Sequence, residues 1–316
     1  MTIPGRLRST EFVIFLAVAV ECVIFAFLSP SFLSLNNFLN VSLQIAIYGM
    51  LAVGMTFVMI TGGIDLSIGS IVALVGVIAA IVSKQTILPT EIMVIVALLS
   101  GLAVGIAAGS LSGFLIASFS IPPFIVTLAM MTICRGVVFI ITGGFTEGEL
   151  PSAFGWLGRG HVWIIPVPVL VMAGLFALGH VMLQQTAFGR HVFALGGNEE
   201  ASRLSGIRVQ REKVLVYSLN GLLTGLAGVT LAARLGAGAP NSGLQYELDV
   251  IAAVVVGGTS LSGGRGSLVG TLAGTLFIGV LNNGLNLANV DPYTQKVALG
   301  VVILAAVWLD QTQRRP

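Results

Sequence analysis

Residues 186–207 read TAFGRHVFALGGNEEASRLSGI. The stretch sits between two long apolar runs. It carries Arg190, His191, Glu199, Glu200 and Arg203, and Arg208, Arg211, Glu212 and Lys213 follow directly. The chain around it is poor in charge: of 316 residues 56% are hydrophobic and 9% charged, with a mean hydropathy of +1.00. A soluble domain carries about 25% charged residues, so this composition cannot cover a soluble surface. The charged island therefore reads as a water-facing connection in a chain of membrane helices. The expected fold is all-α and polytopic, a single transmembrane domain over 1–316 with a cytoplasmic loop at 186–213.

A spanning helix needs about 20 mostly apolar residues. Outward from the loop, the apolar runs predict spans at 11–28, 38–60, 67–83, 91–119, 124–142 and 162–184 on one side of it, and at 214–233, 247–258, 268–288 and 295–309 on the other. That makes about ten, some short or interrupted. Residues 143–161 read as a connecting loop holding Glu147, Glu149, Trp156 and His161. The run from Glu247 to Val256 is brief; ten residues at helical rise give about 15 Å, half of a bilayer core. The first apolar run shows no small-residue cleavage site after Arg6 and Arg8, so it reads as a retained helix.

Charge placement orients the chain. With the N-terminus inside and ten spans, Arg6, Arg8, Arg190, Arg203, Arg208, Arg211, Lys213, Arg265, Arg314 and Arg315 fall inside, against Lys84, Arg159, Arg234 and Lys296 outside. An excess of basic residues marks the cytoplasmic side. Both termini and the 186–213 loop are therefore expected in the cytoplasm.

Ionisable and amide groups within spans are expensive, and each is a candidate for function. Arg135 in TICRGV needs a carbonyl or carboxylate partner and reads as a structural intramembrane charge. Asp65, in GGIDLS at 62–67, either caps the helix that starts near Ser67 or meets a solute. Asn220, and Asn282, Asn283 and Asn286 in LNNGLN, either bridge helices or line a wet path. Asp65, Ser67 and these amides are the candidates for a translocation path or gate. Glu21 faces a partner helix or snorkels. Glu247 and Asp249 cap the short segment or line its mouth. Cys22 and Cys134 read as buried small hydrophobes. Glycines four apart in GLAVGIAAG (101–109) and GTLAGTLFIG (270–279) suit close helix packing. GGIDLS and GGTSLS (257–262) share a pattern that admits an internal repeat.

Several classes are excluded or unsupported. No GxxxxGK[ST] stretch is present, so ATP cannot bind here through a P-loop. LSGGR at 261–265 copies an ATPase signature but stands between membrane segments without such a motif. His161, His180 and His191 are scattered, and no catalytic or metal-binding spacing occurs. Within the charged loop, Asn198 is a good N-cap, Glu199 and Glu200 suit the first turn of a helix, and Arg203 lies at i+4 from Glu199. Gly206 is placed to end that helix, so 199–205 reads as a two-turn surface helix, with Gly196 and Gly197 letting the chain turn into it.

The segments GMTFVMITGGIDLSIGS (54–70), FGRHVFALGGNEEASRLSGI (188–207), ELDVIAAVVVGGTSLSGGRGSLVGT (247–271) and LNNGLNL (281–287) resemble permease subunits of ribose-type sugar ABC importers. The likeness runs nearly end to end, within a group that includes permeases for xylose, galactofuranose and autoinducer-2. It implies a bacterial inner-membrane subunit that pairs with a second permease, a homodimer being expected. A cytoplasmic ABC ATPase would bind ATP and Mg, and a periplasmic sugar-binding protein would deliver the solute, with no cofactor or nucleic acid on this chain. By the same resemblance, Gly197, Asn198, Glu199, Glu200, Arg203, Leu204 and Gly206 belong to the helix that docks into the ATPase. The alternative class is a secondary transporter driven by an ion gradient, for which Asp65 and Glu21 are the inner carboxylates.

Overall fold

In the computed structural model the backbone of residues 5–312 is described, with side chains for 11–308. Arg314 and Arg315 and the side chains of Arg6 and Arg8, all counted as cytoplasmic above, lie outside these bounds. Among the described residues the chain forms thirteen α-helices and one small hairpin. In order they are α1 (Gly5–Leu28), α2 (Leu35–Ile60), α3 (Ile68–Ser83), α4 (Thr90–Phe119), α5 (Pro123–Thr142), α6 (Ser152–Arg159), β1 (His161–Val162), β2 (Ile165–Pro166), α7 (Val167–Gln185), α8 (Ala187–Gly197), α9 (Glu199–Leu204), α10 (Val209–Leu235), α11 (Tyr246–Val256), α12 (Leu268–Leu287) and α13 (Pro292–Thr312). Seven of them (α1, α2, α4, α5, α7, α10 and α12) are long and apolar enough to cross a membrane.

α2 is the axis. Every residue from Ile45 to Ile60 is buried, as expected of a helix that is hydrophobic all round. Around it the glycines set the spacing. On α4 and α10, a Cβ on Gly105 would lie 2.3 Å from the Gly221 carbonyl oxygen, and one on Gly221 would lie 2.2 Å from that of Gly105. Gly101 meets Val229 and Gly113 meets Val214, so the two helices run antiparallel with their backbones in contact. α12 packs likewise, with Gly270 against the Gly257 carbonyl and Gly274 against that of Ala253. α1 covers the outside of α12, where the Phe25 ring lies on Gly284.

Two helices lead into broken elements. α2 ends in a Schellman turn, in which Gly62 N–H and Gly63 N–H donate to Met59 and Val58 carbonyls at 2.9 and 3.1 Å. Residues 61–67 then run without helix back beside α2, past Val58 and Tyr217, before α3 starts. α10 ends at left-handed Gly236 (φ 69°). Residues 236–245 run back along α3, Gly238 lying against Gly76 and Val77 and Gly243 against Gly69, and then α11 starts. α2 therefore lies parallel to α11, and α3 to α10. The plan of long helix, break and short helix occurs twice in opposite directions, as in transporters built on inverted repeats with discontinuous helices.

This differs from the repeat suggested by GGIDLS and GGTSLS. Those strings end the parallel helices α2 and α11. Both ends carry the same cap, since Gly258 and Thr259 N–H donate to Val255 and Val254 carbonyls at 2.8 and 3.1 Å. The cap places Gly62 opposite Gly258, one residue out of step with the sequence match.

Three expectations need correction. The expected 143–161 loop contains α6 and runs into the β1–β2 hairpin, so the following span starts at Val167 rather than 162. The stretch before Asn198 is not a turn but the amphipathic helix α8. Cys134 is buried but Cys22 is only partly so.

Candidate functional site

The 186–213 surface consists of α8, α9 and the start of α10. Thr186 caps α8 by accepting from Gly189 N–H at 3.2 Å. Phe188, Val192 and Leu195 follow at helical spacing and turn inward. Val192 and Leu195 are buried, and Phe188 stacks on Phe57 of α2 with centroids 5.9 Å apart. Asn198 then caps α9, its Oδ1 accepting from Ala201 N–H at 2.9 Å. At the far end Gly206 (φ 85°) closes a Schellman turn in which Gly206 and Ile207 N–H donate to Arg203 and Ser202 carbonyls at 3.0 and 3.1 Å. Six residues are thus held at both ends, which a free helix of that length would not be. The ion pairs depart from the i+4 expectation. Arg203 pairs with Glu200, and Glu199 pairs with Lys213 at 2.7 Å. Leu204, 80% exposed, projects an apolar side chain from this charged rim.

Asp65, Ser67 and Asn220 come together. The Asp65 carboxylate accepts from Ser67 N–H at 2.9 Å, from Ser67 Oγ at 2.5 Å and from Asn220 Nδ2 at 2.8 Å. Asp65 and Asn220 are each 1% exposed. Asp65 stands two residues before the N-cap Ser67, so it fixes the end of the non-helical 61–67 segment rather than capping α3 directly. Thr127 of α5 donates to the Ile64 carbonyl of the same segment at 3.2 Å. Beside the carboxylate, Asn220 Oδ1 and the Tyr217 hydroxyl are buried with no hydrogen-bond partner among the described residues.

The LNNGLN amides form a second, separate group. Asn283 and Asn37 exchange amide hydrogen bonds of 3.0 and 2.9 Å, and Asn37 also donates to the Phe32 carbonyl at 2.9 Å. Asn283 therefore ties α12 to the start of α2. Asn282 is half-buried and Asn286 exposed. The six path candidates thus occupy two places.

Arg135 finds carbonyl partners. One guanidinium nitrogen donates to the carbonyl oxygens of Pro240 and of Ser242, the latter at 3.1 Å. Both belong to the broken segment 236–245, whose first residues are held by Glu147. The Glu147 and Gly238 backbones exchange two hydrogen bonds of 2.9 Å, and the Glu147 carboxylate pairs with Lys84 at 2.6 Å. Non-helical backbone at membrane depth persists only where protein or a wet cavity satisfies it, and Arg135 and Glu147 supply that satisfaction. This segment was missed from sequence, although GAGAPNSG at 236–243 carries the glycine and proline signals of a break.

Such an arrangement, with broken helices crossing in a multi-pass bundle and a rigid capped projection at one end, defines a membrane transport subunit. A family model described as the permease component of branched-chain amino acid transport systems matches residues 37–307, and the chain belongs to that family. It is 46% identical over 305 residues to the ribose import permease protein of Escherichia coli K12, covering 95% of this chain and 93% of that one. It is 48% identical over 299 residues to the ribose import permease protein of Bacillus subtilis 168, covering 94% and 91%. The xylose transport system permease protein of Escherichia coli K12 is 36% identical over an aligned length of 374, covering 98% and 94%.

Proposed function

We propose that this chain is the membrane-spanning permease subunit of an ATP-driven importer that carries a monosaccharide, ribose or a closely related sugar, across a bacterial inner membrane. The observation that carries the reading is the near end-to-end similarity to ribose import permeases. Ten helices are directed along the membrane, α1 to α5, α7 and α10 to α13, with both termini and the 186–213 surface in the cytoplasm. α9 docks into a separate ATPase, which binds ATP and Mg. The exposed Leu204 and the charged rim of Glu199, Glu200 and Arg203 form its contact, and the caps at Asn198 and Gly206 keep the helix from bending under load. A periplasmic binding protein delivers the sugar, and a second copy of this chain completes the path. Asp65, Ser67 and Asn220 hold the broken segment beside that path, and Asn282 and Asn286 contribute free amides toward a hydroxylated solute.

The test is uptake by vesicles that contain this chain with its ATPase and binding protein. Radiolabelled ribose should accumulate only with ATP, and xylose more slowly. Uptake driven by a proton or sodium gradient without the ATPase would refute the importer reading and favour a secondary transporter. Uptake of autoinducer-2 in place of sugars would refute the substrate assignment alone.

A further inference from the structure

Three distant stretches of chain converge on one carbonyl oxygen. Ile60 is the last residue of α2, and its carbonyl has no partner within the helix. Gly264 N–H, from the turn between α11 and α12, donates to it at 2.9 Å. Gly196, near the end of α8, lies against the same group, and a Cβ on Gly196 would fall 1.7 Å from Ile60 O and 2.4 Å from Gly264 N. Gly263 completes the knot, because a Cβ there would meet Gly62 N at 2.9 Å and the carbonyl oxygens of Gly196 and Ile60 at 3.0 Å each. Gly263 and Gly264 both adopt positive φ, at 80° and 73°. Only glycine fits at these places. The neighbouring Gly197 differs, since a Cβ there would meet nothing within 4 Å.

We infer that α8, the C-terminal end of α2 and the 257–264 turn move as one rigid body, with Gly196 as the positioning residue through which a push on α9 reaches the central helix. The inference rests on the docking role proposed for α9. α9 is joined to Gly196 by Gly197 and Asn198 alone, and α8 is anchored on α2 a second time by the Phe188–Phe57 stack. Motion at the docking surface therefore reaches α2 through Gly196, and through Gly264 the α11–α12 turn, beside the separate link to α10 made by the Glu199–Lys213 pair. Packed interfaces of this kind shift as units rather than deform continuously.

Two arms test it in the assembled transporter. In a background with Cys22 and Cys134 replaced by alanine, Gly197→Cys and Ser262→Cys place thiols on exposed positions of the two segments. A short reducible thiol cross-linker then joins them. A rigid unit predicts that the tethered transporter keeps at least about half of its ATP-dependent uptake. An uptake loss of more than about tenfold that reduction restores would show that the segments slide, overturning the inference. In the second arm, Gly196→Ala must displace the Ile60 carbonyl by roughly 1.6 Å to reach an ordinary carbon–oxygen contact of about 3.3 Å. The expected result is normal copurification of the ATPase and normal basal ATP hydrolysis, with uptake down more than about tenfold, while Gly174→Ala on α7, where a Cβ meets nothing within 4 Å, is unaffected. Normal uptake by Gly196→Ala would overturn the inference. Should that variant fail to accumulate, the cross-link arm decides alone. Loss of ATPase copurification or of ATP-dependent uptake in the cysteine-free parent would instead count against the importer reading.

Discussion

Replacing Arg135 with alanine should destabilise the fold without redirecting its substrate choice. The side chain supplies two hydrogen bonds from a charged donor to the carbonyls of Pro240 and Ser242, each worth about 1.5–3 kcal/mol. Together they amount to about 3–6 kcal/mol, and relief of the partly buried guanidinium offsets some of that, so about 3 kcal/mol is the net expectation. For a chain of this size that corresponds to a fall in melting temperature of about 6–12 °C. Lysine keeps the charge but its ammonium ends one bond nearer the backbone and lacks the planar fork, so it should recover less than half of the loss. The assay is thermal unfolding of the purified protein in nanodiscs, with hydrogen exchange read at residues 236–245. Exchange there should rise in both variants, while ribose and xylose keep their order of preference. An Arg135→Ala protein that melts within about 1 °C of the parent, or that is stable and prefers a different sugar, would refute the structural role.

Alanine at Glu199, Glu200 and Arg203 together should leave insertion intact, abolish ATPase copurification and stop uptake; pull-down from membranes checks this, and normal copurification would remove α9 from the interface. Asn198→Ala removes the α9 cap and should cost the helix about 1 kcal/mol, read as faster hydrogen exchange at Ala201. Gly105→Val should prevent accumulation, because its Cβ would meet the Gly221 carbonyl at 2.3 Å and the Gly225 Cα at 2.9 Å, whereas Gly136→Ala, with nothing within 4 Å, should be neutral or slightly stabilising. Asp291, at the exposed start of α13, is held below the usual carboxylate range by the Thr294 hydroxyl and then by the Thr294 and Tyr293 backbone N–H groups. Its stabilisation of that helix start is therefore fully present above about pH 3.9, the ordinary Asp value, and is lost as pH falls through the depressed one. Protection factors at Tyr293 and Thr294 should drop across that window in the parent and stay flat in Asp291→Asn.

How much of this was legible in the sequence depends on how local the cause was. Asn198 and Gly206 act through their own backbone neighbours, and their positions around EEASRL predict the helix and its ends. The need of Arg135 for a carbonyl follows from desolvation alone. The identity of that carbonyl does not, because Pro240 is 105 residues away and is brought there only when the 236–245 break folds back along α3. The Glu199–Arg203 pairing failed for a similar reason: Lys213, from the first turn of α10, competes for Glu199. α8 was legible and passed over, since Phe188, Val192 and Leu195 recur at 4 and 3 residues, but the charges between them drew the reading toward a loop. The GGxxLS echo misled because glycine ends helices in general; the same cap closes α2, α9 and α11, so its recurrence says little about ancestry.

The long central helix gives the two broken segments a common reference. Residues 61–67 follow the C-terminal end of α2 and residues 236–245 that of α10, and the second segment meets the start of α3 where Gly243 lies on Gly69, a Cβ on either coming within 2.4 Å of the other's carbonyl oxygen. Neither can shift alone without opening that contact. Asp65 binds one segment to α10, Arg135 binds the other to α5, and the Ile60 carbonyl of α2 accepts from Gly264 in the turn after α11 while Gly196 of α8 packs against it. On the importer reading, a displacement of α9 therefore reaches the C-terminal end of α2 through Gly196 and the Phe188–Phe57 stack, beside the link to α10 through Lys213, and continues along residues 61–67 to the crossing point. That explains why glycines rather than large side chains occupy these junctions. A side chain can change rotamer and absorb motion, whereas two backbones in contact transmit it.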